Sequence, residues 1–170
     1  VVSYEMGYRI KPTEKTMVDL ATFYNQYSNL RTFDGSGAKI IPGYAPTGTP
    51  TAGNNGSGTT YGFELNGKWQ VLDIWRLEAS YDMLHMDLAV NGASTDNQQP
   101  LNTDPLQRST GFSPRNQFRI RSLLNLTPKL EFDNMLFYTS ALNTAGNNAA
   151  INATTGNTTY GIGIKPYTRW

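Results

Sequence analysis

The chain contains no cysteine, which removes disulfide staples, thiolate metal centres and cysteine nucleophiles at a stroke. It carries one histidine, His85, so a Ser-His-Asp arrangement would have to be built on that single ring. Charge of one sign is missing too. Lys and Arg number 14 against 13 Asp and Glu, which leaves no electrostatic footprint for nucleic acid. No apolar run approaches the roughly 18 residues of a spanning helix, and amphipathic helical periodicity is absent. Hydrophobic residues make up 38% of the chain. That is too little for a large dry core, although a barrel in a membrane needs only its outer face apolar.

What is present is alternation. From Tyr61 to Met83 two runs with a period of two meet at a tight turn. Tyr61, Phe63, Leu65, Trp69 and Val71 share one face of the first run, and Glu64, Asn66, Lys68 and Gln70 share the other. In the second, Trp75, Leu77, Tyr81 and Met83 alternate with Arg76, Glu78, Ser80 and Asp82. Period two over this length is β-strand. A three-residue loop at 72–74 sets Val71 against Trp75, Leu65 against Tyr81 and Phe63 against Met83, so the apolar faces coincide. Full charges along the middle of long strands fit a membrane barrel with a wet interior, whose strands run about 10 residues.

The pattern recurs along the chain. Tyr4, Met6, Tyr8 and Ile10 alternate with Glu5 and Arg9, and a turn at 12–15 leads into a second strand over 16–30. There we favour Val18, Leu20, Thr22 and Tyr24 outward. The competing face would push Asp19 into lipid, which costs up to a few kcal/mol, about 2–4 for a charge at midplane. A fifth strand, Arg115 to Thr127, turns Phe118, Ile120, Leu124 and Leu126 outward and Arg119 and Arg121 inward. After a turn at 127–129, a sixth strand over 130–142 alternates Leu130, Phe132, Leu136 and Tyr138 with Glu131 and Asp133. Centring that turn on Pro128 sets Leu126 against Leu130, Leu124 against Phe132 and Ser122 against Asn134. A seventh strand is expected within 158–170. Long connections rich in Gly, Thr, Asn and Pro fall near 32–60, 91–114 and 143–159. Short and long connections therefore alternate strictly, as in barrels with tight periplasmic turns and large extracellular loops. The chain opens and closes inside alternating runs, at Val1 and Trp170, which predicts that residues 1–170 are a segment of one larger transmembrane barrel domain.

Several stretches carry a family resemblance: Y-E-M-G-Y-R (Tyr4 to Arg9), F-Y-N-Q-Y-S-N-L-R (Phe23 to Arg31) and Y-G-F-E-L-N-G-K-W (Tyr61 to Trp69). W-R-L-E-A-S-Y (Trp75 to Tyr81), S-P-R-N-Q-F-R-I-R-S (Ser113 to Ser122) and P-Y-T-R (Pro166 to Arg169) extend it. In this order, with long loops in the gaps, they resemble the late part of the barrel of TonB-dependent outer-membrane receptors. The resemblance implies an all-β antiparallel meander of about six or seven strands, part of a plugged barrel of about 22. It also implies residence in the bacterial outer membrane, an N-terminal plug domain, coupling to TonB, and uptake of a scarce small ligand such as a ferric siderophore. The plug and the TonB box are not within these residues. A small self-contained barrel, acting as an adhesin or a structural protein, and a soluble β-sandwich binding module are the alternatives.

No catalytic constellation stands out, so no enzyme, cofactor or resident metal is expected. His85, with Asp82 and Asp87 nearby, is either a polar rim residue or part of an oxygen–nitrogen ligand set. The inward charges Glu5, Arg9, Glu64, Lys68, Arg76, Glu78, Asp82, Arg119, Arg121, Glu131 and Asp133 either form a hydrated wall or contact substrate. Phe33, Tyr44, Phe112 and Tyr160, in or beside the long connections, are candidates for stacking on a ligand.

Overall fold

The computed structural model describes residues 1–34, 51–92, 113–142, 150–151, 158–159 and 164–170. Six long strands follow in order: β1 (Val2–Thr13), β2 (Thr16–Asp34), β3 (Thr51–Leu72), β4 (Trp75–Val90), β5 (Asn116–Thr127) and β6 (Leu130–Thr139). Three short ones come after: β7 (Ala150–Ile151), β8 (Thr158–Thr159) and β9 (Tyr167–Arg169). β1 to β6 and β9 form one antiparallel meander in the order β1-β2-β3-β4-β5-β6-β9, while β7 and β8 pair separately. Among the described residues of the expected seventh strand, Tyr167–Arg169 lie on β6, and Ile164 bridges Leu142.

The registers bring the alternating faces together. Tyr8 opposes Leu20, Leu20 opposes Leu65, Leu65 opposes Tyr81, Tyr81 opposes Phe118 and Phe118 opposes Tyr138. One unbroken apolar row thus crosses six strands. The row below contains Ile10, Val18, Gly67, Ala79, Ile120 and Leu136. Above them lie Tyr4, Tyr24 and Tyr61, and on the side of the short turns Trp69 and Trp75. Val18, Leu20, Thr22 and Tyr24 share the face of these rows by register. Diagonal neighbours on this face meet as an aromatic pair: the Phe63 and Tyr81 rings stand 5.5 Å apart, edge to face. The Trp75 indole N–H donates to Ser122 Oγ at 2.9 Å, so the polar atom that interrupts the apolar side is satisfied by a tryptophan and not by Asn134.

The three tight hairpins share one device. Each turn has two residues, Glu14–Lys15, Asp73–Ile74 and Pro128–Lys129. Each is preceded by a register shift, between Ile10 and Thr13, between Gln70 and Leu72, and between Asn125 and Thr127. A one-residue bulge absorbs the odd residue and tightens the local twist. The expected pairs Val71–Trp75 and Leu126–Leu130 are corrected accordingly: Leu72 opposes Trp75 and Thr127 opposes Leu130. Alternation assigns no face to Val71 or Leu126, because each is the extra residue of a bulge. The turn ends are tied sideways, with Gln70 N–H donating to Lys15 O and Asn125 N–H to Ile74 O.

At the opposite end the ladders run further than the sequence pattern suggests. The stretch 32–60, expected to be connection, is paired at both ends, with β2 and β3 joined as far as Asp34 and Thr51. Alternation is lost there for two reasons. Compensating shifts flank Leu30, with Asn29 at φ 58°, and small polar residues fill both faces once the strands leave the apolar band. No second layer covers the sheet among the described residues: Leu88, 8% exposed, is the one buried hydrophobic side chain. Met6 is 68% exposed, Tyr8 60% and Phe132 54%.

Candidate functional site

The face opposite the apolar rows is where the chemistry lies. Glu5, Arg9, Glu64, Lys68, Arg76, Glu78, Asp82, Arg119, Arg121, Glu131 and Asp133 all occupy it by register. Strand alternation enforces this, since each lies one residue away from a member of an apolar row.

The charges are segregated along the strands. Glu5, Glu64 and Asp82 occupy the half toward the long connections, where Glu64 opposes Asp82 directly. Toward the tight turns they give way to ion pairs. Arg9 Nε donates to Asp19 Oδ2 at 2.7 Å, and Arg121 bonds Asp133 Oδ2 at 2.6 Å. Glu78 Oε1 takes Arg76 Nε at 3.2 Å and Lys68 Nζ at 3.8 Å. These are cross-strand or near neighbours at exposed positions, each stabilising by up to about 1 kcal/mol. Arg119 forms no ion pair among the described residues. A depression of about 360 Å³ lies on this face, lined by Asn66, Lys68, Glu78, Ser80, Arg119, Arg121 and Met135 among others. A second, of about 430 Å³, is bounded by Glu5, Phe23, Asn25 and Glu64.

Phe23 also lies on this polar face, opposite Gly62. A Cβ at Gly62 would overlap the Met83 carbonyl and come within 2.8 Å of the Phe23 ring. The ring therefore rests on bare backbone, which no periodicity argument would have singled out.

Near the ends of β2 and β3 a polar network closes the ladder. Thr32, fully buried, donates through Oγ1 to Asp34 Oδ2 at 2.8 Å. Asn55 Nδ2 donates to the same carboxylate oxygen at 2.9 Å. A Cβ at Gly53 would overlap that oxygen and approach Thr32 Oγ1 at 2.8 Å. Thr, Asn and Gly in a non-alternating stretch read as loop composition, and only the register reveals that they meet.

His85 lies with the apolar rows. It opposes Tyr61, their rings 4.7 Å apart, and Nδ1 is bonded by Arg115. Asp82 points to the other face of the same strand. Among the described residues no group of three His, Asp or Glu side chains is placed to hold a metal ion. Of the proposed ligand-stacking aromatics, Phe33 falls in β2, its backbone opposite Ala52. Tyr44, Phe112 and Tyr160 lie outside the described residues.

The family model for the TonB dependent receptor-like β-barrel matches residues 1–170. Curated proteins give no match. Among solved structures, the siderophore receptor PiuA from Acinetobacter baumannii aligns with a TM-score of 0.60 at 19% identity. The alignment covers 98% of this chain and 20% of that one, so the chain spans about a fifth of the receptor's length. At that identity the likeness is one of fold.

Proposed function

This chain belongs to the TonB-dependent receptor β-barrel family, and from that premise we propose that it forms part of the wall of an outer-membrane uptake receptor. The family consists of transporters, not enzymes. On this reading the apolar rows meet outer-membrane lipid, and the charged face lines a lumen shared with a plug domain. TonB supplies the energy, and the ligand is a scarce small molecule, first of all a ferric siderophore. Tight turns face the periplasm, and the connections after β2, β4 and β6 face outward.

One observation carries the reading: a single sheet with large apolar side chains uncovered on one side and ions on the other. Water on both sides would leave rows of Tyr, Leu, Phe and Trp exposed far beyond the few hundred Å² usual for soluble proteins. Hydrocarbon on one side and water on the other satisfies both faces. The segregation of long connections to one end supplies the side on which a ligand is caught.

The test is uptake in the source bacterium under iron limitation, with the gene for the parent receptor deleted. Loss of radioactive iron accumulation from at least one ferric siderophore is expected, restored by the intact gene only where TonB is present. Unchanged accumulation from every chelate tested overturns the ligand assignment. Restoration without TonB overturns the coupling.

A further inference from the structure

Three cations, Lys68, Arg119 and Arg121, line the depression of about 360 Å³ against one carboxylate, Glu78. Arg121 is matched by Asp133, and Glu78 is divided between Arg76 and Lys68. Among the described residues Arg119 is left unmatched, and Lys68 has only a share of a carboxylate 3.8 Å away. Two neutral polar side chains, Asn66 and Ser80, complete the polar lining between them. Ser80 opposes both Asn66 and Arg119 in the ladder, so one row runs Asn66, Ser80, Arg119 across β3, β4 and β5.

We propose that this depression is an oxyanion-binding site in the half of the inner wall nearest the tight turns. It takes the carboxylate or phosphate group of a small solute. The guanidinium of Arg119 offers a planar fork of donors that fits either group, and Lys68 adds a second, mobile charge. The walls of a lumen, poorer in water than an open surface, strengthen the attraction. The occupant is a small solute and not an added strand. β3, β4 and β5 are all paired on both edges, so no backbone groups remain there for strand addition. The volume of about 360 Å³ also falls within the range of small-molecule sites. The site rests on the reading of this face as lumen.

The test uses the full-length parent receptor in detergent, with labelled inorganic phosphate and labelled malonate in equilibrium dialysis. Arg119→Gln and Lys68→Gln are compared with the unmodified protein, and heat-modifiable electrophoretic mobility reports barrel formation for each. Binding of either anion, weakened about tenfold or more by each substitution in a folded barrel, is the expected result, since that is the loss of one charge-assisted contact. The stronger-bound anion identifies the group. A folded receptor that binds neither, or whose folded variants bind as well as the original, overturns the site and leaves the barrel reading standing. A carboxylate of another receptor segment seated on Arg119 in a crystal structure overturns it too. Absence of heat-modifiable mobility in the unmodified protein removes the lumen, and the site with it.

Discussion

On the proposed reading, neighbouring residues on one strand meet different media, and single substitutions separate them. Leu65 sits in the apolar row between Leu20 and Tyr81, while Asn66 sits between Asp19 and Ser80. Leu65→Arg is expected to destabilise the receptor by roughly 2–4 kcal/mol, the cost of a cation in the middle of the hydrocarbon. Asn66→Arg should fall within about 0.5 kcal/mol of the original, as surface changes do. Urea unfolding of the parent receptor in lipid vesicles measures both, and equal costs would mean that the two faces do not meet different media. Gly62 makes a different kind of demand. A side chain there meets the Met83 carbonyl as well as the Phe23 ring, so Gly62→Val is expected to cost about 1–3 kcal/mol through overpacking. Adding Phe23→Ala should not restore stability, because the backbone carbonyl cannot withdraw as a ring can. Full recovery in the double variant would place the conflict at the ring alone.

At the scale of the strand, period two sets the facing of everything between the bulges. The chain has no cysteine, so a thiol introduced along β3 is the only one in this segment. Cys at positions 64 and 66 should react with a charged, membrane-impermeant reagent in the folded receptor, and Cys at 63 and 65 should not. Comparable labelling at all four would sink the alternation. This much of the fold was legible because Glu64, Lys68, Arg119 and Arg121 cannot sit in hydrocarbon, so each one fixes its strand. The pairs Leu65–Tyr81, Phe63–Met83 and Leu124–Phe132 followed from lining up apolar faces across short turns, and the ladders contain them. The ends were not legible. Val71 and Leu126 look like members of the alternation, yet a bulge ahead of a two-residue turn sets them aside, and apolar patterning carries no signal for an unpaired residue. Thr51 to Thr60 lacked alternation because both faces there are polar or small, so a real strand resembled a loop. In the charged depression the residues were named one by one from the sequence. That Asn66, Ser80 and Arg119 form one row needed the registers of two separate hairpins, joined by a connection whose length sequence patterning does not fix.

The whole sheet has two liabilities that only a larger assembly resolves. Among the described residues β1, at one margin, is paired on one edge alone, and all twelve of its residues are exposed. At the other margin β6 is covered by β9 over only three residue pairs. Unpaired edges recruit other chains, and inside hydrocarbon each unsatisfied backbone group costs several kcal/mol, more than about 2 apiece. Closure of a barrel removes both problems at once, and it also supplies the lumen that the charged face requires. The 170-residue chain expressed alone is therefore expected to sediment as aggregate in detergent-free buffer. In detergent it should give a broad, polydisperse profile with the same electrophoretic mobility before and after boiling. The parent receptor, treated identically, should migrate faster unboiled than boiled. If the segment alone is monodisperse in detergent and heat-modifiable, the edges have found each other within it. The strand count and the width of the lumen would then have to be rebuilt around a much smaller barrel.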